Sequence, residues 1–265
     1  MSAATPCEAS IRARFAARLR AADPLVGPFV KSRDPAVIEI LAQTGADFAV
    51  LDAEHVAFDR RDIADMAMAS RASGLPLVVR VPTAESHWLA TAVDCGAAGV
   101  MVPQVTGPEM AARLVRALRH GAGGLGISPS TPGAEYGARG LAGHMERHPR
   151  ECVLICQIED PDAVALAEEI AACEGVDALL AGPADLTVAA GLTDPAAPEV
   201  QRLCEEVIAA GRRVGKAAGL ALGDAKAAAR WRGAGGTLFV LGTDQAFLKQ
   251  AAAASIAAFR EATGA

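Results

Sequence analysis

Short apolar runs recur along the chain and alternate with longer amphipathic stretches. Runs such as LVGPFV and VLICQI are rich in aliphatic and β-branched residues, which is typical of strands buried on both faces. The stretches between them place apolar residues at helical spacing and often end at a glycine. We therefore predict eight strands, over residues 25–30, 48–53, 76–81, 99–103, 153–158, 177–182, 217–222 and 237–242.

Each predicted strand is followed by a predicted helix, and this order indicates an α/β fold. Eight such units describe a (β/α)8 TIM barrel, here with an extended C-terminal helix over residues 244–262. We assign residues 25–265 to one catalytic barrel domain and residues 1–24 to an N-terminal helix and tail. A doubly wound open sheet is the alternative, but it usually has a glycine-rich phosphate turn after its first strand, and GPFVKSRDP is not one.

Residues 121–152 form the longest link between predicted strands. The segment begins rich in glycine and proline, as GAGGLGISPSTPGAEYG, and then becomes polar and helical. Strands of the same pattern continue beyond it, so it is not a domain boundary. We predict that it is an active-site lid or an interface loop.

Composition narrows the class of protein. Hydrophobic residues make up 52% of the 265 residues, and aromatic residues only 4%, which suits helices packed on parallel strands. A net charge of −6 with both signs interspersed argues against a nucleic-acid or membrane surface. Six cysteines without CxxC spacing fit buried thiols in a reducing compartment, and the start of the chain lacks a signal-peptide core. We therefore predict a cytoplasmic protein.

Polar or small residues follow nearly every predicted strand. In barrels of this kind the chemistry lies at the carboxyl ends of the strands, so this concentration favours an enzyme. The residues at these ends are Phe29, Lys31, Asp52, Glu54, His55, Arg80, Pro103, Gln104, Gln157, Glu159, Gly182, Asp185, Gly223, Asp224, Thr243 and Asp244.

Glu159 and Asp185 follow two consecutive predicted strands. One parallel βαβ unit brings both acids to the same rim of the sheet. Two carboxylates with room for water are ligands that a hard divalent cation such as Mg²⁺ or Mn²⁺ prefers. The alternative is that both acids only cap helices or lie in their first turns.

His55 and Arg80 are the other candidates for chemistry at this rim. A histidine beside a metal can move protons near neutral pH, and it needs a carboxylate, Asp94 or Asp52, to fix its tautomer. Arg80 can clamp a substrate carboxylate and stabilise an enolate oxygen, or it can form a salt bridge that closes the barrel mouth. We expect the remaining histidines to be solvated in helices or loops, namely His87, His120, His144 and His148.

A further group of residues could bind the substrate at the same rim. Gln157 should point into the same cavity. The turn Gly182, Pro183, Ala184 and Asp185 offers backbone N–H groups to a carboxylate, although Pro183 has none to donate.

The chain resembles the HpcH/HpaI aldolase family of metal-dependent pyruvate aldolases, whose barrel is of the phosphoenolpyruvate/pyruvate type. The motifs DAEH, QIE and GPADL carry the resemblance together, over about residues 25–250. It implies reversible cleavage of a 4-hydroxy-2-oxo acid to pyruvate and an aldehyde, with Mg²⁺, Mn²⁺ or Co²⁺ as cofactor. It also implies a homo-oligomer, usually a hexamer that exchanges C-terminal helices.

The resemblance assigns roles to individual residues. It implies metal ligation by Glu159 and Asp185, and enolate stabilisation by Arg80. It makes His55 the acid/base, partnered by Asp94. Gln157 and the Gly182–Asp185 turn become pyruvate-binding.

One region departs from the family pattern. Many members carry arginines in the loop after the fourth strand–helix unit, where this chain has Leu125 and Pro132. If those arginines bind the distal carboxylate of the acceptor, this protein should prefer a smaller or less acidic aldehyde.

Three other functions compete with this interpretation. An acyl-CoA lyase of the citrate lyase β or malyl-CoA lyase type usually has an arginine-rich start and a longer C-terminal region. A Schiff-base aldolase needs a buried lysine, and Lys31 is the one candidate, but Glu159 and Asp185 would then have no role. A non-catalytic barrel subunit would not need the set Glu159, Asp185, His55 and Arg80.

Overall fold

The computed structural model describes residues 10–264 as a closed barrel of eight parallel strands. Each strand pairs with the next along the chain, and β8 closes the barrel against β1. The predicted TIM barrel is therefore confirmed. Residues 1–9 of the predicted N-terminal tail lie outside the described residues. The strands are β1 Leu25–Val30, β2 Ala49–Asp52, β3 Leu77–Arg80, β4 Gly99–Val102, β5 Val153–Ile158, β6 Ala178–Ala181, β7 Ala217–Leu222 and β8 Leu238–Thr243.

Helices surround the barrel. Between β5 and β6 the helical stretch is divided at Leu166 into two short helices. The helices are α1 Ile11–Arg20, α2 Ala36–Leu41, α3 Arg60–Ser73, α4 Ser86–Cys95, α5 Pro108–Ala117, α6 Gly140–Glu151, α7 Pro161–Ala165, α8 Ala167–Ala172, α9 Pro183–Ala189, α10 Pro198–Arg213, α11 Ala228–Gly233 and α12 Asp244–Thr263.

Alternation along the strands separates two apolar layers. In β5, Val153 and Ile155 pack inside the barrel, while Leu154, Cys156 and Ile158 pack against the helices. The next inward position of this strand is Gln157. The same period of two makes Asp52 and Arg80 the last inward residues of β2 and β3, so a polar layer lies on an apolar one at the carboxyl end of the barrel.

The amino-terminal mouth of the barrel is closed by α1. Phe15, Ala16 and Leu19 of this helix are buried in the same cluster as the barrel interior. The ring of Phe15 lies 5.4 Å from the ring of Phe48, measured between centroids. The site chemistry is therefore confined to the opposite, carboxyl-terminal mouth.

The segment 121–152 also lies at the amino-terminal end. It contains a 3-10 turn, Pro132–Gly137, and then α6, which leads directly into the start of β5. Arg12 of α1 donates to the Gly133 carbonyl oxygen (2.9 Å) and pairs with Glu151 (2.8 Å). The segment therefore does not cover this chain's own carboxyl-terminal mouth, so it is not a lid over its own site, and the interface alternative stays a prediction.

The C-terminal helix α12 projects away from the barrel. Only Asp244 at its start is buried, whereas Leu248 and Phe259 are 73% and 66% exposed. Beside it lies an apolar groove of about 370 Å³, lined in part by Val26, Leu41 and Leu241.

Two observations bear on the compartment predictions. Among residues 10–264, no helix combines the length and apolarity that a membrane crossing requires. The five cysteines in this range are all free.

Candidate active site

Arg80 and Asp52 form the buried centre of the carboxyl-terminal mouth. They are direct neighbours in the pairing of β2 with β3. The Nε and Nη2 groups of Arg80 both donate to Oδ1 of Asp52, at 3.0 and 2.8 Å. The guanidinium also lies 4.4 Å from the ring centroid of Phe29, in cation–π geometry. Arg80 is thus held in one orientation by two strands.

Asp52 is an anion shared by several donors. Its side chain is fully buried, and burial raises its pKa, but the charge and hydrogen bonds of Arg80, the His55 N–H group and Lys31 outweigh burial. The net result is a pKa below the usual range. Nζ of Lys31 lies 3.2 Å from Oδ2 of Asp52, the oxygen that Arg80 does not use.

Glu54 lies at the same mouth, above Asp52. Its Oε2 atom lies 3.3 Å from Nη1 of Arg80 and 3.9 Å from Nε2 of His55. Burial raises the pKa of Glu54, with Asp52 and Asp185 adding repulsion against the opposing effect of Arg80 and His55. Glu54 therefore links the guanidinium to the imidazole.

Glu159 is held at the end of β5 by two donors. Its Oε2 accepts from the Gln104 N–H group (2.8 Å), and its Oε1 accepts from Nε2 of Gln157. Gln104 reaches this position with a left-handed backbone, at φ 53°. Burial raises the pKa of Glu159 to about 7, and the charges of Asp185 and Glu54 act in the same direction.

Asp185 and Glu159 line one cleft of about 310 Å³ between the ends of β5 and β6. Asp185 lies in the first turn of α9, which begins directly after Gly182. A Cβ atom at Gly182 would lie 2.8 Å from Cγ of Glu159 and 3.0 Å from its Oε1. Only glycine lets β6 approach the carboxylate this closely.

These two carboxylates are the residues that could hold a metal ion. Burial and the negative charge of Asp185 both raise the pKa of Glu159, so a cation between the two carboxylates would relieve a repulsion that the structure contains. The Oε1 atom of Gln157 is buried nearby without a hydrogen-bond partner. Within residues 10–264, no group of three His, Cys, Asp or Glu side chains is arranged to hold a metal, so the remaining ligand positions would belong to water and substrate.

The family of the chain follows from a family model. The model described as HpcH/HpaI aldolase/citrate lyase matches residues 25–251, nearly the whole barrel. The chain belongs to this family. The predicted resemblance is therefore confirmed.

Named relatives of this HpcH/HpaI chain are aldolases. It is 34% identical over 260 residues to the hydroxypyruvate/pyruvate aldolase of Delftia acidovorans, covering 93% of this chain and 92% of the relative. It is 32% identical over 250 residues to the 5-keto-4-deoxy-D-glucarate aldolase of Klebsiella pneumoniae, covering 94% and 97%. The crystal structure of an HpcH/HpaI aldolase/citrate lyase family protein from Burkholderia cenocepacia superposes with a TM-score of 0.87 at 34% identity, covering 93% and 99%.

The carboxylate partner expected for His55 in this family does not contact its ring within the chain. Asp94 lies near the end of α4, just before the start of β4 and so at the amino-terminal end of the barrel. Burial raises the pKa of Asp94, and its charged neighbours are His120 and Arg60. Asp52 accepts from the backbone N–H of His55 (3.3 Å), while Nε2 of the half-exposed His55 ring lies 3.9 Å from Oε2 of Glu54.

Leu125 and Pro132, the two loop residues that differ from the family pattern, also lie away from the carboxyl-terminal mouth. Leu125 is buried in the segment that packs at the amino-terminal end, and Pro132 begins its 3-10 turn. Neither residue therefore lies at this chain's own carboxyl-terminal mouth.

Several residues at the carboxyl-terminal mouth make contacts that the pattern of polar residues at strand ends did not predict. Phe29, Glu54 and Gln104 have no predicted role, and Lys31 has only the competing Schiff-base role. All four nevertheless contact Arg80, Asp52, His55 or Glu159. Their occurrence at strand ends is the available signal.

The prediction that His144 and His148 are solvated is wrong. His144 is only 3% exposed and His148 only 8%. Both lie on α6, and with His120 they form a cluster whose ring centroids are 4.5–6.2 Å apart.

Proposed function

We propose that this chain is a divalent-metal-dependent aldolase that cleaves a 4-hydroxy-2-oxo acid to pyruvate and an aldehyde, and catalyses the reverse addition. The observation that carries the proposal is the meeting of Glu159 and Asp185 in one cleft, at the mouth that also holds Arg80. The aldolase names of relatives matched over nearly their full lengths support it.

In the cleavage direction the 4-hydroxyl group loses its proton, and the C3–C4 bond breaks. The electron pair of the C3–C4 bond moves toward the 2-oxo group, which gives the enolate of pyruvate, and C4 leaves as the aldehyde. C3 of the enolate is then protonated. A cation held by Glu159 and Asp185 would supply Lewis acidity toward the oxygen on which this charge develops.

The residues of the mouth have separate tasks in this proposal. Arg80 donates N–H groups to the developing enolate oxygen, because Asp52 and Phe29 fix its orientation before the substrate arrives. Gln157 and the Gly182–Asp185 turn bind the carboxylate of pyruvate. His55 transfers protons, because its half-exposed ring can reach both solvent and the mouth.

A homo-oligomer is part of the proposal. Helix α12 exposes large apolar residues, and an apolar groove beside β1 lies open next to its start. A second copy of the chain could cover both surfaces. It could also bring its Asp94 and its 121–152 segment to the carboxyl-terminal mouth of this copy, and the family resemblance implies a hexamer. We propose a cytoplasmic location and no nucleic-acid or membrane partner.

Pyruvate release tests the reaction. Cleavage of 4-hydroxy-2-oxo acids should be detectable by coupling to lactate dehydrogenase, should cease with EDTA and should return with Mg²⁺, Mn²⁺ or Co²⁺. Arg80→Ala should lower the rate roughly 10²–10³-fold, as expected for one lost oxyanion donor, with metal still bound. Activity unchanged after thorough chelation would exclude the metal mechanism, and covalent trapping by borohydride would favour a Schiff base.

A further inference from the structure

Lys31 is a cation at the active-site mouth that the proposed reaction does not use. It follows β1 on the inward side, two residues after Phe29, and its side chain is 27% exposed. Its backbone is fixed, because Asp244 accepts from the N–H groups of Lys31 (2.8 Å) and Ser32 (3.0 Å). Asp244 is itself buried, so the turn that carries Lys31 is anchored at the start of α12, directly after β8.

The two oxygens of Asp52 serve different cations. Oδ1 accepts both N–H groups that Arg80 directs to it, and Oδ2 lies 3.2 Å from Nζ of Lys31. The three groups therefore form a chain, Lys31–Asp52–Arg80, that carries one net positive charge, which Glu54, 3.3 Å from Nη1 of Arg80, partly offsets. Without Lys31, the buried negative charge of Asp52 would offset the positive charge that Arg80 presents to substrate, because charge–charge interactions are weakly screened in the protein interior.

We propose that Lys31 is a positioning residue for the aldol reaction: by sharing Asp52, it leaves Arg80 with an effective positive charge for the enolate. The inference rests on the proposed function. In this arrangement Asp52 fixes the direction of the guanidinium, and Lys31 offsets the electrostatic cost of having Asp52 there. Lys31 acts through Asp52 and not by contact with the reacting atoms.

A charge-balance role predicts an unusual pattern among variants. Lys31→Met should slow the reaction by about 10–100-fold, less than the loss of an oxyanion donor itself. Lys31→Arg should restore most of the rate, because it returns the cation. The double variant Lys31→Met/Asp52→Asn should be faster than Lys31→Met, because the asparagine amide oxygen can still accept from Arg80 while the uncompensated anion is gone.

Two measurements that need no aldehyde test the pattern. The first is exchange of the methyl protons of pyruvate into D₂O, followed by NMR, which reports enolate formation. The second is the calorimetric affinity for oxalate, a planar dianion that imitates the enolate, measured with Mg²⁺ present. Both should fall for Lys31→Met and recover for Lys31→Arg and for the double variant, with thermal melting confirming that each variant is folded.

The outcomes separate this inference from the proposed function. Wild-type protein that neither exchanges pyruvate protons nor releases pyruvate from any tested acid would overturn the proposed function itself. An active wild type with unchanged Lys31→Met, or with a double variant slower than Lys31→Met, would overturn only the charge-sharing role. Borohydride trapping of pyruvate on Lys31 would also overturn it, because the lysine would then be the nucleophile.

Discussion

Glu159→Gln should stabilise the metal-free protein at alkaline pH, although it removes a proposed metal ligand. In the fold the pKa of Glu159 is raised from 4.5 to about 7, first by burial and then by Asp185 and Glu54. A raised pKa means that the folded state binds the proton more tightly than the unfolded chain does. The stability that this supplies is fully present below pH 4.5 and is lost as the pH rises from 4.5 through 7.

The size of this free-energy difference follows from the difference between the two pKa values. At about 1.36 kcal/mol per pKa unit, a shift from 4.5 to about 7 corresponds to about 3 kcal/mol. Glu159 is only 7% exposed, so solvent screens little of this electrostatic energy. Glutamine keeps an acceptor for the Gln104 N–H group, and its amide can donate to the unpartnered Oε1 of Gln157. The variant therefore removes the charge with little loss of hydrogen bonding.

Urea unfolding in EDTA between pH 5 and 8.5 would measure this difference. The stability of Glu159→Gln relative to wild type should grow with pH and level off above about pH 8. Saturating Mn²⁺ at pH 8 should stabilise wild type and leave the variant nearly unchanged, because binding to the folded state alone adds stability. Glu39→Gln, at an exposed position of α2, serves as the matched control and should follow wild type at every pH. Parallel curves for Glu159→Gln and wild type would refute the reasoning.

Three further predictions concern other parts of the molecule. Burial lowers the pKa of His148 from 6.5 to about 4, so its neutral form stabilises the fold above pH 6.5, and about 3 kcal/mol should be lost as the pH falls to 4. Urea unfolding of His148→Gln should show a shallower loss over that range, and an equal loss would contradict the assignment. Gly182→Ala should weaken Mn²⁺ binding or turnover roughly 10–100-fold, since its Cβ would displace Glu159, and unchanged Mn²⁺ titrations would argue against that crowding. Phe15→Ala should destabilise the protein by roughly 3–5 kcal/mol in urea unfolding, and a loss under 1 kcal/mol would mean that α1 does not complete the core.

The barrel could be predicted because its strands are buried on both faces. Such strands appear in the sequence as apolar runs, and the bounds predicted for residues 25–30, 153–158 and 217–222 agree with β1, β5 and β7. The polar rim followed from the same runs, since several of them end at or just before a polar residue, such as Asp52, Arg80 and Glu159. The pattern of apolar runs did not predict which residues at the rim contact one another. The Arg80–Asp52 contact depends on the register of β2 against β3, which only barrel closure fixes.

The errors lie where contacts are distant in sequence. The segment 121–152 is tied to α1 by Arg12 and Glu151, residues that are nearly 140 positions apart, and no local pattern reports such a pair. The burial of His144 and His148 did leave a signal. Their spacing of four residues places them on one face of α6 with Glu151, another buried residue, and this face is the side that packs inward.

The acids of the mouth differ in pKa direction according to how many cations they contact. Asp52 contacts Lys31 and Arg80, and its pKa lies below the usual range despite complete burial. Glu54 and Glu159 have less compensation, and burial raises the pKa of both. Asp52 is therefore compensated by the chain's own cations, whereas Glu54, after β2, and Glu159, after β5, carry negative charge that the described contacts compensate less. A divalent cation bound between Glu159 and Asp185 would lower both raised pKa values and place positive charge on the side of the mouth facing Arg80, so that an enolate oxygen could be stabilised from two directions.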